Sequence, residues 1–170
     1  MLSTRSTRLL ALVLGIIVLA GVGVGVATAK SNDAKKFTVW EDDKSGPSTW
    51  FDLGAPRKGD PGSDIGDLLM EHKTLLDPSN GQRLGEAVTR GQVADVVGGD
   101  SVINIDCTIK LAGGDIVFYG AGLFSKMMDK GLGFAVIGGT GKYRGAKGGV
   151  TVRVAERNGK PGANITFNLK

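Results

Sequence analysis

The chain of 170 residues carries 21 basic and 17 acidic side chains, with one Cys and one His. Arg5 and Arg8 stand in an N-terminal segment without an acid, so the rest is close to neutral and holds no long Lys/Arg run, which excludes nucleic acid as a partner. Cys107 alone cannot form an intrachain disulfide. Cys107 and His72 are too few for a zinc-type cluster, and no EF-hand-like spacing suggests a carboxylate site, so no metal is expected.

In chain order, Met1 to Arg8 is short and basic, Leu9 to Val26 is an unbroken apolar run, and Ala27-Thr28-Ala29 follows. This is the plan of a secretory signal peptide, which predicts cleavage after Ala29 and a secreted domain over residues 30–170. The apolar run is also nearly long enough to cross a bilayer. An uncleaved anchor at the outer face of the cell membrane is therefore the alternative, with membrane contact confined to residues 1–29. Glycines at 15, 21, 23 and 25 weigh against a permanent helix there.

After a short polar linker, Asn32 to Lys36, the pattern turns to a period of two. Phe37, Val39 and Glu41 share one face of a predicted strand, and Pro47 to Ser63 reads as a long loop rich in Gly, Pro and charge. Strands are predicted over 68–76, 86–97, 101–111, 115–119, 133–137, 150–154 and 165–170. The pattern is clearest where Ile103, Ile105, Cys107 and Ile109 alternate with Asn104, Asp106, Thr108 and Lys110. Turn chemistry separates them at 77–81, 98–100, 112–115 and 158–162. About eight strands with short turns imply an antiparallel meander that closes on itself. The expected fold is an all-β barrel, with a sandwich as the alternative.

The most distinctive segment is Phe134-Ala-Val-Ile-Gly-Gly-Thr-Gly-Lys-Tyr-Arg-Gly-Ala-Lys-Gly148. It is not a phosphate loop: position 136 is Val where a P-loop needs Gly, and Tyr143 follows Lys142 where Ser or Thr would hold Mg²⁺. Its glycines instead suit a tight connection between two strands near the barrel rim, with Gly139 or Gly141 at positive φ.

This segment resembles the signature of the allene oxide cyclase and dirigent-like families: an apolar strand, Gly-Gly-Thr/Ser-Gly, an aromatic two positions later, then Gly-Ala-x-Gly. Gly66-Asp67-Leu68-Leu69 and Arg83-Leu84-Gly85 with Gly91 are similar to further family segments in the right order. The resemblance implies an eight-stranded antiparallel β-barrel, a homotrimer, a largely apolar lumen and no cofactor. Val39-Trp40-Glu41-Asp42-Asp43, with Pro47 after it, resembles the first strand of allene oxide cyclases, whose Glu steers a cationic ring closure. Glu41 and Asp43 are thus the candidate catalytic residues, Asp43 standing where those enzymes carry Asn, and Pro47 is a candidate ligand contact.

His72 shares a face with Leu68, Met70, Thr74 and Leu76 and reads as a core or rim residue, or as a second ligand contact. Cys107 reads as a small core hydrophobe. The expected function is a barrel that binds an apolar small molecule and guides a cofactor-free cyclisation or stereoselective coupling. The alternatives are a non-catalytic carrier of a hydrophobic ligand and a structural surface barrel with a filled lumen.

Overall fold

Alternating apolar and polar side chains, crowded with β-branched residues, let one face of a strand be buried while the other meets water. In the computed structural model this pattern becomes nine strands over the described residues, 35–54 and 65–170. The expected signal peptide or anchor, 1–29, lies outside them. The described residues all belong to one compact unit. The strands are β1 (Lys35–Asp42), β2 (Ser48–Phe51), β3 (Leu68–Leu76), β4 (Arg83–Val97), β5 (Asp100–Leu111), β6 (Gly114–Leu123), β7 (Leu132–Gly139), β8 (Gly148–Arg157) and β9 (Lys160–Leu169). A helix, α1 (Phe124–Asp129), joins β6 to β7, and a 3₁₀ turn, Gly141–Tyr143, lies between β7 and β8.

Every pairing is antiparallel. The order is β1-β9-β8-β7-β6-β5-β4-β3-β2, and β1 also pairs with β3, so eight strands close into a barrel with β2 as an addition. The barrel is therefore the observed fold, and the sandwich is not. Two local expectations are corrected. Lys35 and Lys36, read as linker, pair with Leu169 and Asn168 at the start of β1. Ser48–Phe51, read as loop, forms β2 against β3.

The β8–β9 hairpin turns at Asn158 and Gly159, both in the left-handed region (φ 52° and 74°), which matches the twist of the flanking strands. Between β7 and β8 Gly145 is left-handed (φ 75°), and so, at the start of the 3₁₀ turn, is Gly141 (φ 54°). A Cβ there would lie 2.1 Å from the Gly113 carbonyl oxygen, so no other side chain fits. That tight connection folds Tyr143 inward, where it is buried.

Side-chain size varies along the barrel axis. At one end Phe37, Phe118, Phe134, Tyr143 and Phe167 fill the interior. The Phe37 and Phe167 rings stack at 4.8 Å, and Phe118 meets Phe167 edge-on at 6.3 Å. Phe118 and Phe167 are fully buried, and aromatic pairs of this kind add to the stabilisation from area alone. Toward the other end the lining includes Thr89, Gly91, Ser101, Gly162 and Ala163. Small side chains leave space there that the aromatic floor does not.

Candidate functional site

The space is a cavity of about 360 Å³. Leu69, Val93, Ile103, Ile105, Val152 and Ile165 are among its walls, and Cys107 and Phe118 are part of its lining next to the aromatic floor. Trp50 from β2, Phe124, Met127 and Met128 from α1, and Pro161 complete the lining. Exposed Trp50, Phe124 and Met128 give it an apolar rim. Ser125 anchors α1 by donating from its backbone N–H and its Oγ to the Asp100 carboxylate (3.2 and 2.5 Å).

One wall carries charge because β1 is interrupted. Asp42 pairs with Thr74 and Ser48 with Glu71, so β1 and β2 follow each other along the same edge of β3. The residues between them, Asp43 to Pro47, face only His72 and Lys73 and therefore bulge out of the ladder. The bulge is tied down by Thr74 N–H donating to Ser45 Oγ (2.7 Å), His72 N–H donating to the Pro47 carbonyl (3.0 Å) and Asp43 N–H donating to the Pro161 carbonyl (3.3 Å). Beyond β2, buried Asp67 of the Gly66-Asp67 segment accepts from Leu53 and Gly54 N–H, both at 3.1 Å, and so holds the end of β2 to the start of β3.

Lys73 is drawn into this bulge. It is 3% exposed, and its Nζ donates to the carbonyls of Asp43 and Gly46, with Asp43 Oδ1 at 3.5 Å and Glu71 Oε1 at 3.9 Å. Glu71 also accepts from Ser48 Oγ at 2.8 Å. Glu41 pairs with Leu75 on one side and Ala163 on the other, and lines the cavity. Among the described residues no hydrogen bond holds its carboxylate. Burial, and then the negative charge of Glu71, push its pKa up to about 7. Lys73 pulls the other way, and Asp43 adds a smaller upward push.

The expected site residues separate on this geometry. Glu41 and Asp43 both line the cavity, whereas Pro47 does not and ends the bulge with its carbonyl on His72 N–H. His72, expected as a core or rim residue or a second ligand contact, does not line the cavity. His72 is 50% exposed in its side chain and pairs through Nε2 with Glu86 Oε2 at 2.9 Å, on the outer face. The hydrogen bond from His72 holds the Glu86 carboxyl below its usual range. The inward face of β3 is instead Leu69, Glu71, Lys73 and Leu75. Apolar residues occupy both faces of that strand, so alternation alone could not choose between them.

Glu71, Lys73, Trp50 and α1 are the parts that sequence reasoning missed. A run as short as Phe124-Ser-Lys-Met-Met-Asp129 shows only one apolar i, i+3, i+4 set, too little for a helix signal. Cys107 accepts from Thr89 Oγ1 at 3.2 Å, and burial pushes its thiol up, so it stays protonated as part of the apolar wall. Among the described residues no group of three or more His, Cys, Asp or Glu is placed to hold a metal ion.

No protein-family model matches the sequence, and no curated protein is significantly similar to it in sequence. Solved structures are similar in fold. A pyocyanin demethylase superposes with a TM-score of 0.64 at 20% identity, over 80% of this chain and 100% of that one. The pterocarpan synthase dirigent protein PsPTS1 gives 0.61 at 12% identity, over 81% and 94%. The fold is that of the allene oxide cyclase and dirigent-like barrels. A third solved structure, the exo-specific intermolecular Diels-Alderase AbnU, gives 0.60 at 21% identity, over 80% and 97%.

Proposed function

We propose that this dirigent-like barrel binds one apolar small molecule in its cavity and guides a cyclisation or a stereoselective coupling, with Glu41 as the proton-bearing group. The observation that carries the reading is Glu41 itself: a carboxyl in an apolar cavity, free of hydrogen bonds from the described residues, with a pKa of about 7. Such a group is divided between its two protonation states near neutral pH, which suits it to donate a proton or to steady a developing positive charge. The rest of the catalysis is orientation and exclusion of water by the cavity walls, and uses only the chain's own groups. That two proteins of the same fold are described as a Diels-Alderase and a pterocarpan synthase dirigent protein supports this chemistry here by analogy.

In the same proposal residues 30–170 work as an exported domain freed of residues 1–29, and three copies assemble. Exposed Tyr119 and Ile137, on the outer faces of β6 and β7, support a contact between copies.

The test begins with terpenoid, fatty-acid-derived and polyketide compounds screened for binding and turnover. For a compound that reacts, Glu41→Gln should leave its affinity nearly unchanged and lower kcat by about 10²-fold. Binding without turnover in the wild type would assign the barrel a carrier role. Turnover fully retained by Glu41→Gln would remove Glu41 from the mechanism.

A further inference from the structure

Every charged side chain among the described residues that line the cavity is acidic: Glu41, Asp43 and Glu71. Among the described residues no Lys, Arg or His lines it. Lys73, the described cation beside this wall, does not line the cavity: its ammonium is held by the Asp43 and Gly46 carbonyls and by the two neighbouring carboxylates. Glu71 has Ser48 Oγ and Lys73 as partners, but Glu41 has no hydrogen bond from any described residue, so its charge falls on whatever occupies the cavity. The other polar lining groups, among them Gln92 and Ser101, are neutral and do not offset it.

We infer that the cavity selects its ligand by charge, admitting neutral or cationic amphiphiles with their polar end at Glu41 and Glu71, and rejecting anionic ones such as free carboxylic acids. This inference rests on the proposed reading of the cavity as a site for an apolar molecule. A neutral ligand with a hydroxyl can pair with the carboxyl in either protonation state, one with a carbonyl can accept from its protonated form, and a cation gains attraction from the ionised form. An anion meets like charge on that wall with no cation among the described lining residues to receive it, and a single such repulsion a few ångströms away in a partly desolvated site weakens binding by about 10- to 100-fold.

The experiment uses the full domain at low salt and about pH 8, where carboxylic acids are ionised. N-phenyl-1-naphthylamine, an uncharged fluorophore, reports occupancy of the cavity. Decanol, decyltrimethylammonium and decanoate, which share one alkyl body, compete for it below their aggregation concentrations. Decanol and decyltrimethylammonium should displace the fluorophore, with decanoate at least about tenfold weaker than decanol. In Glu41→Gln and Glu71→Gln, each nearly isosteric, that gap should narrow.

Decanoate displacing as well as decanol would overturn the charge selection while leaving the cavity reading intact. So would an unchanged gap in both variants. Failure of the fluorophore and of all three amphiphiles to bind, the latter checked by calorimetry, would overturn the reading of the cavity and the selection with it.

Discussion

Glu41 costs the folded barrel stability once it ionises, because its carboxylate leaves water for an apolar lining without gaining a hydrogen bond from a described residue. Its pKa is raised on folding, from an ordinary 4.5 to about 7, so the folded state holds its proton more tightly than the unfolded chain. The associated stability is present below about pH 4.5 and is lost as pH rises through about 7, on the order of 3 kcal/mol in all. Urea denaturation at about pH 5 and pH 8 should therefore show the wild type losing stability relative to Glu41→Gln across that window. A constant difference between the two proteins would show that Glu41 ionises freely. Lys73 acts in the opposite sense. Lys73→Met leaves the Asp43 and Gly46 carbonyls without their donor and Asp43 and Glu71 without a counter-ion, a loss of about 3 kcal/mol. Because Lys73 lowers the Glu41 pKa, the variant should also titrate Glu41 at higher pH, which the carboxyl carbon shift reports.

The elements divide the labour along the barrel axis. The aromatic floor supplies cohesion, so Phe167→Ala, which removes a fully buried ring stacked on Phe37, should cost about 3–5 kcal/mol by chemical denaturation while leaving the carboxylate wall in place. The β7–β8 connection sets the closure at that same end. Gly141→Val combines a left-handed φ with a collision on the Gly113 carbonyl and should cost at least about 2 kcal/mol, read as a lowered melting temperature. An unchanged melting temperature would mean that the turn relaxes freely.

The positions of eight strands were legible in the sequence because alternation is unambiguous wherever one face is polar, as it is in β5. The bulge at Asp43–Pro47 was not. It depends on two segments sharing one edge of β3, a long-range register that local periodicity does not encode. The placement of Glu71 and Lys73 inside, and of His72 outside, follows from that same register.

For the molecule as a whole, the sequence showed the barrel and Glu41, while the charge wall became visible only when β1, β2 and β3 came together. The open half of the lumen was equally hidden, since it results from side chains of several strands shrinking at the same height. If copies pair through the outer faces of β6 and β7, Tyr119→Lys with Ile137→Lys should shift the mass by light scattering to that of a monomer, with the fold retained by circular dichroism. A mass unchanged by both charges would exclude that face. The central claim, that the cavity holds a carboxyl poised near neutrality, is tested most directly by carbon-detected NMR titration of the Glu41 side chain, assigned by its absence in Glu41→Gln. A midpoint at about 7 is the expected result, and a midpoint at the ordinary 4.5 would contradict the account.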